Sequence, residues 1–273
     1  MFKEMLENVR KRGPLVHNIT NYVTAGDCAN ILIACGASPI MADDVGEAAE
    51  ITSACQALVL NIGTLNQRTI PAMLSAGSKA NARGIPVVFD PVGVGASSLR
   101  TETAAQLFGE VHFAVIRGNA SEIRTLADKG GAVSGVDANA GDKVTDANFE
   151  EAAAFAKAFA LRSNAVIVMS GAIDIVAGAR KAYAIRNGDV MMSKITGSGC
   201  MLSAMTAAYL GANPDKPLEA AAAATCAMGL CGEIAFSRMK ARDGSASYRN
   251  YLIDAVFNLD GDELDRGAKY EIK

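Results

Sequence analysis

The sequence predicts an α/β fold in three layers, a mostly parallel central sheet with helices on both faces. Short, near-continuous apolar runs alternate with helical patterns along the chain, the signature of strands buried on both sides. Half of the 273 residues are apolar while only 5% are aromatic, so the core must come from Ala, Val, Ile, Leu and Met packed closely. Polar and glycine-containing segments follow the apolar runs, where ligand loops stand in open parallel sheets. At this length an α/β core is expected to form a single domain over residues 1–273.

Taken in order, the first predicted strand is residues 57–60, followed by Asn61-Ile62-Gly63-Thr64 and a helical stretch over 67–82. The second, 86–89, leads into Asp90-Pro91-Val92-Gly93-Val94-Gly95 and a helix over 97–108. Arg117-Gly118-Asn119 follows the third, 113–116, ahead of a helix over 121–128. Residues 132–146, rich in Gly, Asp, Asn and Val without a clear period, read as a surface excursion. A helix over 148–160 precedes the fourth strand, 165–169, which ends at Ser170-Gly171. Asp174–Ala177 and Ala182–Ile185 flank Gly178-Ala179-Arg180 and predict a hairpin, hence an antiparallel edge. Beyond it the chain turns helical.

Composition excludes several functions. A formal net charge of −3 and a longest basic run of Arg10-Lys11-Arg12 leave no footprint for nucleic acid. The six cysteines form no Cys-x-x-Cys pair, and two histidines cannot build a multi-histidine metal site. The first residues carry Glu4 and Glu7 and no apolar core, so a cytoplasmic location is expected rather than secretion. Residues 218–237 are long and apolar, but they are built of Ala, Gly and Cys and include Glu219 and Glu233. A buried helix is expected there, not a membrane span.

The strongest chemical signal is Ile195-Thr196-Gly197-Ser198-Gly199-Cys200, running into the helical pattern from Met201 to Leu210. Glycines admit close approach of a ligand, and the amides opening a helix point outward with the dipole behind them, so the loop is a prospective anion site. The same loop could be an ordinary strand-to-helix turn. It lacks the lysine of a P-loop and the spacing of a dinucleotide fingerprint.

Together with Asp90-Pro91-Val92-Gly93-Val94-Gly95-Ala96 and Asn119-Ala120-Ser121-Glu122, this loop resembles the hydroxyethylthiazole kinases of the ribokinase-like superfamily. His17-Asn18-Ile19-Thr20-Asn21, Ser38-Pro39-Ile40-Met41-Ala42 and the segment from Ser247 to Asp254 share that resemblance, in the family's order. The resemblance implies ATP-dependent phosphorylation of 4-methyl-5-(2-hydroxyethyl)thiazole, with Mg2+ as cofactor, in a homotrimer whose substrate pocket lies between subunits. It places Cys200 near the substrate hydroxyl, where the wider superfamily usually carries an aspartate, and assigns substrate contacts to Met41 and Gly197 with the region from Asn18 to Thr24, Asn21 included, nearby. The helix start is expected to lower the Cys200 thiol and make it a weak base.

Amides of Gly197, Ser198 and Gly199 would stabilise the transferring phosphoryl group. By resemblance Arg117, Asn119, Ser170 and Gly171 contact the nucleotide, Ser170 standing where relatives mostly have Thr. Glu122 and Asp90 are the expected magnesium residues, Glu122 through water. Asn119 and Glu122 also have the form of a capping box. His17 is expected to satisfy backbone groups ahead of a helix rather than move protons. The alternatives are another kinase of the superfamily, a repair enzyme for hydrated nicotinamide nucleotides, and a non-catalytic nucleotide-binding protein.

Overall fold

The computed structural model describes residues 1–129 and 144–273; most of the predicted excursion over 132–146 lies outside them. The described strands are β1 (Leu15–Ile19), β2 (Ser38–Ile40), β3 (Ala57–Asn61), β4 (Val87–Asp90), β5 (Val115–Asn119), β6 (Val166–Ser170), β7 (Asp174–Ala177), β8 (Ala182–Ile185) and β9 (Tyr270–Ile272). They form one sheet in the order β2-β1-β3-β4-β5-β6-β7-β8-β9. The pairs from β2 to β6 are parallel and those from β6 to β9 antiparallel, so the predicted hairpin is the start of an antiparallel extension.

Eleven helices are described: α1 (Phe2–Arg12), α2 (Ala25–Cys35), α3 (Ala48–Ala54), α4 (Thr69–Ala82), α5 (Ser98–Glu110), α6 (Ala120–Lys129), α7 (Phe149–Ser163), α8 (Ser198–Ala212), α9 (Pro217–Ser237), α10 (Ser245–Asn258) and α11 (Gly261–Gly267). Buried residues of α1, α2 and α8 to α11 make one core with Val16, Val59, Val88, Val115 and Val168. Those of α3 to α7 make a second core with Leu58, Leu60, Phe89, Ile116 and Ile167 on the other face. This is the predicted three-layer arrangement. It follows from strand alternation, because successive side chains point to opposite faces.

Helix α1 shows the local logic: Phe2, Met5, Leu6 and Val9 are buried at helical spacing, and the left-handed Gly13 (φ 53°) ends it. Helices α8 and α9 are apolar nearly all round because each is enclosed between the sheet and other helices. The membrane-length segment is thus a core helix, with 78% of its most apolar window buried.

Two expectations need correction. All four predicted strands end later than predicted, and all but the one starting at Ala57 also begin later, so Asn61, Asp90, Arg117, Gly118, Asn119 and Ser170 belong to the ends of strands, paired across the sheet, rather than to loops. His17 lies within β1 and not ahead of a helix.

Parity then decides what these ends do. Asn61, Asp90, Arg117 and Ser170 share the alternation of Val59, Val88, Val115 and Val168, so they extend toward the α8 side of the sheet. Asp174 opens the antiparallel β7 at the same edge and has the parity of Val176.

Candidate active site

Gly197 caps α8 in the left-handed region at φ 87°. What precedes it is a 3-10 turn, Val190–Lys194, so the loop does not connect a strand to a helix. Both glycines make room for protein rather than only for ligand. A Cβ on Gly197 would come within 2.7 Å of Thr24 Cγ2, and one on Gly199 would strike the Arg117 guanidinium. The helix start and Arg117 therefore sit together, two positive features with no carboxylate in close hydrogen-bonded contact, which favours an anion between them.

Arg117 is 9% exposed; its Nη2 donates to Ser170 Oγ at 2.7 Å and its Nη1 stands 3.8 Å from Asp90 Oδ1. Its Nε is buried with no hydrogen-bond partner among the described residues. Beside it opens a cavity of about 860 Å³ whose wall includes Arg117, Asn119, Ser170, Gly171, Ser198 and Gly199. Asp174 also lines it and holds the turn after β6 by accepting from the Gly171 amide at 2.8 Å.

The predicted capping box is formed. Glu122 Oε2 accepts from Asn119 N at 2.8 Å, and Asn119 Oδ1 accepts from Glu122 N at 2.9 Å. The second oxygen, Oε1, accepts from Gly93 N at 2.9 Å, so Glu122 ties the Asp-Pro-Val-Gly turn to α6. Its remaining lone pairs leave room for a water-mediated ligand.

Cys200 lies in the first turn of α8, and its sulfur accepts from Asn21 Nδ2 at 3.4 Å and Asn61 Nδ2 at 3.3 Å. Asn61 Nδ2 also donates to Asp90 Oδ2 at 2.8 Å, and the Ser203 hydroxyl donates to the same oxygen at 2.8 Å. Asn21 is fixed in turn through Oδ1, which accepts from Thr24 N and from Thr24 Oγ1, each at 3.0 Å.

The expected lowering of the Cys200 thiol is reversed. Burial raises it, and the nearby Asp90 charge adds to this, outweighing bonds from Thr24, Asn21 and Asn61. Burial and the Asp90 charge both favour the neutral thiol. Asp90 is itself pushed up to about 6 by burial, with Arg117 opposing and Glu122 reinforcing.

A profile of the hydroxyethylthiazole kinase family matches residues 6–262. The chain belongs to that family. A hydroxyethylthiazole kinase of Clostridium acetobutylicum is 62% identical over 271 residues, which cover 99% of each chain. The solved structure of a hydroxyethylthiazole kinase protein from Pyrococcus horikoshii superposes with a TM-score of 0.88 at 32% identity, covering 100% of this chain and 98% of that one. A ribokinase-like superfamily protein of Enterococcus faecalis, 12% identical, covers 93% of both chains with a TM-score of 0.63 and shares the fold.

Within this hydroxyethylthiazole kinase family fold, the residues expected at the nucleotide side, Arg117, Asn119, Ser170 and Gly171, meet at one cavity with Ser198 and Gly199. Asn21, Asp90 and Cys200 join in one hydrogen-bonded group beside it. Met41 stands apart, 38% exposed on the loop after the edge strand β2. His17 is fully buried, its Nδ1 2.8 Å from Thr52 Oγ1 and its Nε2 2.8 Å from Ala42 O.

Sequence reasoning assigned no role to Asn61, Ser203 or Asp174, and covered Thr24 only as the end of the region from Asn18 placed near the substrate. Asn61 sat in a segment marked only as a strand-end loop. Ser203 had no signal, being one polar residue in an apolar helix.

Proposed function

We propose that this chain transfers the γ-phosphoryl group of ATP to the hydroxyl of 4-methyl-5-(2-hydroxyethyl)thiazole, giving the thiazole phosphate and ADP, a salvage step of thiamine biosynthesis. The observation that carries the reading is the meeting of two half-sites at the start of α8, within a chain of this family. On one side Ser198, Gly199 and the Arg117 guanidinium stand at the cavity wall, with Gly197 capping the same helix start, and their amides and guanidinium make up the proposed anion site. On the other, Cys200 sits in a cradle of carboxamides suited to a small polar substrate.

Phosphoryl transfer through a loose transition state asks chiefly for alignment and charge stabilisation. In this reading the α8 amides and Arg117 supply the stabilisation, and Ser170 aims Arg117. A neutral Cys200 orients the alcohol rather than removing its proton in the ground state, since the hydroxyl becomes acidic only late in such a reaction. Asn21 and Met41 bound the alcohol side. Asn119 and Gly171 shape the nucleotide side.

Mg2+ fits the donor set: Asp90 keeps one buried oxygen, Oδ1, without a hydrogen-bond partner among the described residues, and Glu122 is close enough to raise its proton affinity. Magnesium retains water and needs few carboxylates, so Asp90 and Glu122 suffice with phosphate oxygens. Bound there, it would offset charge on the phosphates. Among the described residues no three His, Cys, Asp or Glu side chains gather into a metal cluster.

The homotrimer belongs to the same proposal. Tyr22, Val23 and Val45, 82%, 56% and 54% exposed, stand with Met41 beyond the carboxyl ends of neighbouring strands β1 and β2. A partner subunit would cover them and close the alcohol side. The enzyme is proposed to act in the cytoplasm.

Coupled ADP release with Mg2+, measured with and without the thiazole alcohol, tests the function. Release that depends on the alcohol is expected. Folded protein showing no such dependence overturns the proposal.

A further inference from the structure

We propose that Asn61 is a positioning residue for this reaction, setting Cys200 and Asp90 relative to each other through one carboxamide; the inference rests on the phosphotransfer reading above. Asn61 and Asp90 are register partners at the ends of β3 and β4. Their side chains therefore leave the sheet on the same face, toward α8, which carries Cys200 and Ser203 in its first two turns.

The orientation of the Asn61 amide is fixed by its neighbours. The Gly63 amide can only donate, and it lies 2.9 Å from Asn61 Oδ1. Ionised Asp90 can only accept, and its Oδ2 lies 2.8 Å from Asn61 Nδ2. Asn21 is oriented the same way, since the Thr24 backbone amide at 3.0 Å requires an oxygen facing it. Asn21 Nδ2 then reaches Asn61 Oδ1 at 3.0 Å, and both amide nitrogens are turned on the Cys200 sulfur. Asn61 is 2% exposed, and both of its donor hydrogens and its acceptor oxygen have partners.

Two consequences follow for the reacting groups. Asp90 Oδ2 is occupied by Asn61 and Ser203, so the oxygen left without a hydrogen bond is Oδ1, on the Arg117 side. The Cys200 sulfur accepts from two amides, so its own hydrogen is the one donor it has left for a ligand. An asparagine that merely shaped the turn after β3 would need only the Gly63 bond. Its three other bonds all go to the two half-sites.

The test uses Asn61→Asp, which keeps volume but removes both donors, alone and with Cys200→Ala. Asn61→Asp is expected to lower kcat about thirtyfold with the ATP KM changed less than about threefold. With Cys200→Ala its effect should shrink by at least about threefold, because part of it acts through the sulfur. Multiplicative losses in the double variant overturn the proposal.

A second readout needs no turnover. Cys200 is the partly exposed cysteine and the other five are buried, so iodoacetamide labelling followed by peptide mass reports on it. Asn61→Asp should slow labelling of the substrate-free protein about threefold or more by withdrawing a donor from the sulfur; an unchanged rate overturns the proposal. A wild-type chain without thiazole-dependent ADP release would sink the functional reading, while labelling would still decide whether Asn61 governs Cys200. If Asn61→Asp does not fold, Asn61→Ser, with a single donor, is read through the same double-variant cycle.

Discussion

Adding a methyl group at Gly199 would drive a Cβ into the Arg117 guanidinium, so Gly199→Ala should displace Arg117 from the anion site. Overpacking of this kind costs about 1–3 kcal/mol, and the ATP KM should rise with the loss of melting temperature; an unchanged KM would show that Arg117 does not hold nucleotide. Arg117→Lys removes the fork that reaches Ser170 at 2.7 Å and should raise the ATP KM about tenfold, because a point charge cannot replace a planar pair of donors. Cys200→Ala has the opposite signature. It should lower turnover about tenfold while leaving the ATP KM within about threefold, and Cys200→Asp should keep activity because the Asn21 and Asn61 donors now face a carboxylate. Full turnover in the alanine variant removes Cys200 from the mechanism.

At the scale of an element, β1 carries a polar residue that the apolar core must accommodate. His17 is fully buried between Thr52 and Ala42 O, and burial lowers its pKa below the usual histidine value. The neutral ring donates from Nε2 to Ala42 O, and its Nδ1 shares the single Thr52 hydroxyl hydrogen with Ala48 O, each 2.8 Å from Thr52 Oγ1. Since the unfolded chain binds this proton more readily, the stability from His17 is present above about pH 6.5 and lost as pH falls below it. Asp90 and Asp174, both raised to about 6 by burial, work in the opposite sense, losing stability as pH rises from about 4 through 6. The difference between wild type and His17→Gln isolates the histidine: the wild-type advantage in melting temperature should be larger at pH 7 than at pH 5. An advantage independent of pH would show that His17 is not neutral in the fold. The same contact anchors Ala42 next to Met41, which links this strand to the alcohol side.

For the whole molecule, the trimer proposal predicts a solution mass three times that of the chain. Tyr22→Glu should lower it, because a charge would be buried against a partner, and should raise the KM for the alcohol more than for ATP. A monomeric wild-type protein with full activity would refute the shared pocket. At the other edge of the sheet, β9 covers β8 by antiparallel pairing of Ile272 with Tyr183 and Tyr270 with Ile185. Deleting residues 269–273 would bare the edge of an apolar strand, so a lower melting temperature and association between molecules are expected in a thermal scan with light scattering.

Much of this architecture is legible in local pattern. The runs ending near residues 60, 89, 116 and 169 are strands because short segments rich in Val, Ile, Leu and Phe bury both faces inside a parallel sheet. The motifs from residue 17 to residue 254 carry the family, and the cap of α8 follows from Gly197. The shortfalls are equally specific. β1 interrupts its apolar pattern with His17 and Asn18, β2 contains Pro39 on a sheet edge, and β9 is exposed, so each depends on partners far along the chain. The sequence by itself determined the fold class, the family and the residues at the strand ends. Tertiary structure alone decided that Asn61 stands opposite Asp90, that Ser203 fills one carboxylate oxygen, and that burial and the Asp90 charge raise the Cys200 thiol. Register and desolvation arise only when distant segments meet, and neither is written in the spacing of neighbouring residues.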